Sequence, residues 1–281
     1  MSAKRKEKHG MSKKLKGNLI LLLTAIIWGS GFVCQSLGMD SIGPNTFNGI
    51  RTLLGAFVLL PVIYFMDVGR NKNGIKQEYN KKNLILGGIA CGVLLCAAST
   101  VQTLGLKYTT SGKSGFITAM YIIIVPFLGI FMKKKVGALT YIGAVIALVG
   151  LYMLSLAKTG FDVNFGDVLT LICAVLFSFH ILTVDYMADK TDGVKLSCVQ
   201  FFVCGLLNLA MMFLFEKPEP VVILSCWKPI AFSGFLSCGA GYTLQIVGQK
   251  YTDPTPAAII MSLESVFAAI FGALILKEYM G

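Results

Sequence analysis

Charge is scarce in this chain, and acid is scarcer than base. Only 14% of the 281 residues are charged, with 25 Lys and Arg against 14 Asp and Glu. A soluble domain carries about 25% charged residues, so a water-facing globular surface is excluded. No glycine-rich phosphate-binding loop is present, which removes ATP as a direct driver. The eight cysteines lack metal-binding spacings such as Cys-x-x-Cys with partner histidines. They read as small apolar fillers, and no metal site is expected. No nucleophile, base and orienting group can be assembled, so neither enzyme chemistry nor a cofactor is implied. No segment alternates with period two, which argues against a membrane barrel. Residues 1–17 lack the apolar core and cleavage site of a signal peptide, so the first span is expected to be an uncleaved anchor.

What remains is apolar length. Hydrophobic residues make up 55% of the chain, and the mean hydropathy is +0.73. About 20 apolar residues span the bilayer hydrocarbon, so long uncharged runs read as membrane helices. Spans are expected at 18–36, 46–66, 84–106, 115–132, 137–157, 167–187, 197–215, 229–248 and 256–276. The fold class is all-α, a polytopic membrane protein embedded in the lipid bilayer.

The net charge of +11 invites a nucleic-acid reading, but the distribution of charge opposes one. Seven basic residues precede the first span: Lys4, Arg5, Lys6, Lys8, Lys13, Lys14 and Lys16. Arg70, Lys72, Lys76, Lys81 and Lys82 fill one loop, and 133–135 fill another. With the N-terminus inside, 18 basic residues fall on the inner side and 6 on the outer, leaving Arg51 near a membrane end. This is the asymmetry that sets topology, so the N-terminus is expected to be cytoplasmic and no nucleic-acid partner is expected. A basic head also suits anionic lipid.

The chain repeats itself. The stretch QTLGLKYTT from Gln102 is echoed without a gap by QIVGQKYTD from Gln245. The pairing joins Gly105 to Gly248 and Tyr108 to Tyr251, and continues through the following helix to Lys134 and Lys277. Spans 3 and 4 thus recur as spans 8 and 9, and more weakly AIIWGSGF in span 1 faces AVLFSFHI in span 6. A unit of five crossings must insert its second copy upside down, which is a transporter architecture. The expected organisation is a basic segment over 1–17, a first repeat over 18–157 and a second over 158–281. Nine spans are present where two repeats require ten, and truncation of the tenth is the expectation favoured here.

AIIWGSGFVCQSLG, followed by FNGIRTLLGAFVLLP, resembles the first two helices of the drug/metabolite transporter superfamily, EamA-type branch. GDVLTLICAVLFSFHILTVDYM and MSLESVFAAIFGALILKE are similar to the family's second half. The resemblance covers nearly all of 18–281 and rests on the order and duplication of individually weak motifs. It implies a ten-helix inverted-repeat carrier of small metabolites. The family includes exporters of amino acids and carriers of sugars or drugs.

Polar groups inside spans cost free energy and tend to face a cavity, so they are the site candidates. Glu264, in the middle of span 9 between Ala257 and Ala268, could take up and release a proton during a cycle, or serve as a structural hydrogen-bond donor or acceptor. His180 in span 6 could relay a proton or bind an anion, but a histidine bonded to a backbone carbonyl is the favoured reading. Gln102, Gln200, Gln245 and Gln249 can hold a zwitterion or sugar, or join helices at about 1 kcal/mol each. Trp28 and Tyr121 could wall a pocket, with plain packing the better expectation. Arg51 could attract an anionic substrate, but is expected to snorkel to the headgroups. Asp167 and Asp185 suit helix ends. Gly88 and Gly92 form a helix-contact face.

Three functions follow. The leading one is a secondary carrier, permease or exporter, for small metabolites, with amino acids or related compounds as one class. The others are a lipid-linked flippase of the same architecture and a non-transporting membrane assembly subunit. Bacterial cytoplasmic membrane is the expected location, and monomer and homodimer are both open.

Overall fold

The computed structural model describes residues 3–72, 79–131, 138–155, 163–217 and 219–277. The basic runs at 76 and 133–135 and the closing residues 278–281 lie outside them. Among the described residues every regular element is a helix. These are α1 (Ala3–Met39), α2 (Pro44–Lys72), α3 (Lys81–Gly105), α4 (Ser111–Thr118), α5 (Tyr121–Phe131), α6 (Ala138–Ser155), α7 (Phe165–Ala188) and α8 (Gly193–Phe215). The short α9 (Pro220–Ser225) and α10 (Trp227–Phe232) follow, then a π-helical stretch, Ser233–Tyr242, which runs into α11 (Thr243–Gln249). The chain closes with α12 (Pro254–Met261), α13 (Glu264–Phe271) and a π-helical turn, Gly272–Leu276.

Among the described residues, eight segments are long and apolar enough to cross a membrane: Lys13–Met39, Pro44–Lys72, Lys81–Gly105, Ser111–Ile130, Phe165–Ala188, Gly193–Phe215, Trp227–Gln249 and Pro254–Leu276. They coincide with eight expected spans, and the fifth, 137–157, contains α6. The protein is therefore an all-α polytopic membrane protein.

Local sequence explains where the helices start. Asn80 caps α3 through the Lys82 amide, and Thr110 caps α4 through that of Lys113. Asn164 and Asp167 exchange side-chain and backbone bonds in a capping box at the start of α7. Asp192 accepts from the amides of Val194 and Lys195 to open α8. Asp167 thus has the helix-end role expected of it.

Two spans differ from a plain helix in the same way. The fourth breaks between α4 and α5 at Ala119–Met120, and the ninth between α12 and α13 at Ser262–Leu263. The sequence echo pairs these breaks with each other. At both, amides reach back three residues rather than four, as in Ile122 to Ala119 and Ser265 to Ser262. Tightened turns of this kind mark hinges. In the ninth span, the Ser262 and Ser265 hydroxyls bond the carbonyls of Ile259 and Ser262, competing with the helical ladder.

Glycines let the helices approach one another. A Cβ at Gly92 would lie 2.6 Å from Val203 Cβ, and one at Gly88 would collide with Val199, so the expected face does meet another helix, α8. Gly105 packs on the Gly166 backbone, and a Cβ at Gly166 would come within 2.6 Å of the Gly105 carbonyl. The echoed Gly248 lies against Leu21 and the Gly17 carbonyl in the same manner. The last two contacts each join the end of one span to the start of a span in the other half.

Candidate functional site

One cavity gathers side chains from both halves of the chain. Trp28, Phe32 and Gln35 come from α1, Arg51 from α2, Gln102 from α3 and Tyr121 from α5. Phe177 and Ile181 come from α7, Ser237 and Tyr242 from the π-helical stretch, Gln245 from α11 and Glu264 from α13. The space is narrow, leaving about 30 Å³ for the centres of water-sized molecules.

Tyr121 and Glu264 are the first residues beyond the two helix breaks, and they meet. The Tyr121 hydroxyl donates to Glu264 Oε1 at 2.9 Å. Tyr121 is 2% exposed and Glu264 4%, so both are held inside the protein rather than toward lipid. Gly29 of α1 makes room for the α13 backbone at Glu264. A Cβ there would stand 2.8 Å from the Glu264 carbonyl and 2.9 Å from the Ala268 amide. The small residue Ala268 lets α1 approach here.

The amides divide into held and free. Gln102 Nε2 donates to Thr118 Oγ1 at 3.2 Å. Gln245 is 1% exposed, and its Oε1 has no partner among the described residues. Gln249, one turn on, donates to the Ile181 carbonyl at 3.2 Å. Trp28 packs on Tyr242 with ring centroids 4.6 Å apart, and its Nε1 reaches the Ser237 carbonyl at 3.4 Å.

Of the residues singled out in sequence, Trp28, Gln102, Tyr121, Gln245 and Glu264 line the cavity, while His180 and Gln200 do not. His180 Nε2 lies 3.1 Å from Gln200 Oε1, and both residues are fully buried. The histidine therefore pairs with a side-chain amide, not the expected backbone carbonyl. It stands edge-on to Phe177 and Tyr242, supporting two cavity walls from behind.

Arg51 is the larger correction. Expected to snorkel, it is only 2% exposed and lines the cavity. Gln35, Phe32, Phe177, Ile181, Ser237 and Tyr242 were also missed. The repeat carried a signal for some of them, because aligning span 1 with span 6 pairs Trp28 with Phe177 and Phe32 with Ile181.

Comparisons with known proteins agree with this architecture. The family model described as "EamA-like transporter family" matches the chain twice, over residues 15–156 and 164–281. The chain is 31% identical over 274 residues to an uncharacterized transporter of Archaeoglobus fulgidus, covering 95% of this chain and 80% of that protein. It is 23% identical to the uncharacterized transporter YoaV of Bacillus subtilis, covering 94% and 90%. It is also 23% identical to the S-adenosylmethionine/S-adenosylhomocysteine transporter of Chlamydia muridarum, covering 92% and 84%. A solved structure titled "Crystal structure of protein" superposes with a TM-score of 0.71 at 17% identity, covering 95% of this chain and 90% of the other. That likeness establishes the fold alone.

Proposed function

Because this chain belongs to the EamA-like transporter family, we propose that it is a secondary-active carrier of small metabolites that binds its substrate in the central cavity. The observation that carries this reading is the meeting of Tyr121 and Glu264 at the cavity wall, each just past a break in a membrane span. Broken spans at a repeat interface free polar groups to face a solute at mid-membrane. The two successive family matches and the matched glycine contacts support two inverted repeats, 18–157 and 158–281. Rocking one repeat against the other opens the cavity to each side of the membrane in turn.

Glu264 is the coupling residue in this scheme. It exchanges a proton, or receives a cationic group of the solute, as the Tyr121 contact breaks and re-forms. The excess of basic residues in alternate loops supports a cytoplasmic N-terminus in a bacterial membrane. The relative named as an S-adenosylmethionine/S-adenosylhomocysteine transporter supports amino acids and their derivatives as the substrates to try first.

The test is counterflow into proteoliposomes loaded with mixed amino acids, nucleosides or sugars, comparing the chain with Glu264→Gln. Uptake of one class, slowed by the substitution, is the expected result. Uptake that the substitution leaves unchanged removes Glu264 from the cycle and keeps the carrier. No counterflow of any class would sink the carrier reading.

A further inference from the structure

Arg51 sits in the cavity without a counterion among the described residues. Its Nε donates to Asn48 Oδ1 at 2.9 Å, its single hydrogen bond among the described residues. Asn48 is itself fixed, since its Nδ2 donates to Thr103 Oγ1 at 3.1 Å and the Thr103 hydroxyl donates to the Ser99 carbonyl at 2.6 Å. The Phe47 ring lies 5.4 Å from the guanidinium carbon and covers one face. One edge and one face are therefore held, and the remaining N–H groups have no partner among the described residues. Among those residues no carboxylate forms an ion pair with Arg51. Glu264, on the same cavity, is engaged with Tyr121 instead.

An unpaired buried charge is expensive, and a chain keeps one where something else neutralises it. The guanidinium fork matches the two oxygens of a carboxylate or phosphate. A second orphan points to the same occupant, because Gln245 Oε1 is a buried acceptor in the same cavity to which nothing donates among the described residues. We infer that the cavity takes a small solute carrying an anionic group and an N–H or O–H donor. The anion docks on the free edge of Arg51 and the donor reaches Gln245. The solute's body lies along the wall of Trp28, Phe32, Phe177 and Tyr242. This inference rests on the carrier reading and gives it a substrate chemistry.

The test uses the purified full chain, with ligand-induced thermal stabilisation and proteoliposome counterflow as readouts. The probes are matched pairs: L-amino acids with their carboxamides, and sugar phosphates with the free sugars. One anionic set is expected to stabilise the protein and to be carried, at least tenfold more effectively than its neutral partners. Which set works separates carboxylate from phosphate. Arg51→Gln is expected to remove that preference, and Arg51→Lys to restore part of it by keeping the charge without the fork.

Should Arg51→Gln fail to fold, phenylglyoxal labelling of the wild-type chain replaces it. Arginine occurs only at Arg5, Arg51 and Arg70, so mass spectrometry resolves the sites. Protection of Arg51 by the anionic probe and not by its neutral partner supports the inference. Equal transport of both partners, a preference that survives Arg51→Gln, or equal protection overturns it and leaves the carrier intact. Counterflow of neither partner overturns the inference and removes support from the carrier reading as well.

Discussion

The two ends of the α2–α8 pair are closed by different chemistry. At one end Glu216, just past α8, accepts from the Asn45 and Thr46 amides at 2.8 Å each, and from both side chains. These amides open α2, so a carboxylate from another helix satisfies donors that the helix leaves orphaned. At the other end Asp67 of α2 takes Lys195 Nζ at 2.8 Å, and Asp192 takes Arg70 Nη1 at 2.6 Å. Extending the alignment of span 1 with span 6 pairs Asp67 with Glu216, and Thr46 with Lys195. The same two positions thus meet twice, once as a helix cap and once as an ion pair. Likewise Thr109 to Asp167 at 3.1 Å is matched by Thr252 to Asn18 at 3.0 Å. Matched positions keep the contact and change the groups. The groups change at cavity residues too: the alignment pairs Tyr121 with Glu264, and Arg51 with Gln200 behind the wall. Packing is shared between the halves, and polarity is what distinguishes them.

The largest test strikes the first of these cavity pairs. Glu264→Ala leaves the Tyr121 hydroxyl buried without its acceptor, at a cost of about 1–3 kcal/mol. Counterflow is expected to fall at least tenfold, and Tyr121→Phe, which leaves the buried Glu264 carboxyl without its donor, is expected to lose comparable stability. A double-mutant cycle by thermal unfolding in detergent should give the coupling between them. Additive losses would mean the two residues act separately and that their meeting has no energetic content.

Next comes a test of what the halves share. A Cβ at Gly166 meets the Gly105 carbonyl at 2.6 Å, and backbone cannot yield without shifting a helix. At the matched Gly17 the nearest atom is Thr252 Oγ1 at 2.5 Å, a side chain that can turn away. Gly166→Ala is expected to cost about 1–3 kcal/mol, the usual range for overpacking, and Gly17→Ala less. Melting of the two variants in detergent decides it. Equal losses would mean that Tyr251 and the Gly248 carbonyl, 2.9 and 3.1 Å from the Cβ at Gly17, are as rigid as the Gly105 backbone.

How much of this was legible in sequence follows from the solvent. Hydropathy marks depth, so Lys81–Gly105 and Phe165–Ala188 fall within a few residues of the expected 84–106 and 167–187. It does not mark rotation about the helix axis, because lipid is as apolar as a protein core and no polar face betrays the outside. His180 and Gln102 therefore looked equivalent, although one lies behind the wall and the other lines it. Arg51 misled for the same reason, since its position near a span end suited headgroups as well as a cavity. The break at Ala119–Met120 carries no Gly or Pro at the turn itself. Only the echo with Ser262–Leu263, where serines compete for carbonyls, could have suggested it.

A smaller effect is expected at the capped end of α2. Glu216→Ala returns the Asn45 and Thr46 amides to an uncapped helix start, a loss of about 1–2 kcal/mol. Glu216→Gln should recover part of this, because an amide oxygen still accepts. Thermal unfolding measured with both variants reads the difference, and an unaffected Glu216→Ala would show that water caps the helix equally well.

The smallest effect belongs to the matched position at the other end. Asp67 has a side chain 42% exposed, so its ion pair with Lys195 is screened by solvent and salt. Lys195 also keeps a second partner, the Tyr79 hydroxyl at 2.9 Å. Asp67→Asn is therefore expected to shift stability by less than about 0.5 kcal/mol, with the difference vanishing in concentrated KCl. The Glu216→Ala loss should be less salt-sensitive, because its hydrogen bonds to the Asn45 and Thr46 amides outlast screening of the charge. In a carrier, the exposed Asp67–Lys195 contact is then easier to part than the Glu216 cap, and the pair of buried Asp192 with Arg70 carries most of what holds that end. Asp67→Asn and Glu216→Ala losing equal stability at low and high salt would make the two ends equivalent barriers. The difference in their chemistry would then have no bearing on which side opens first.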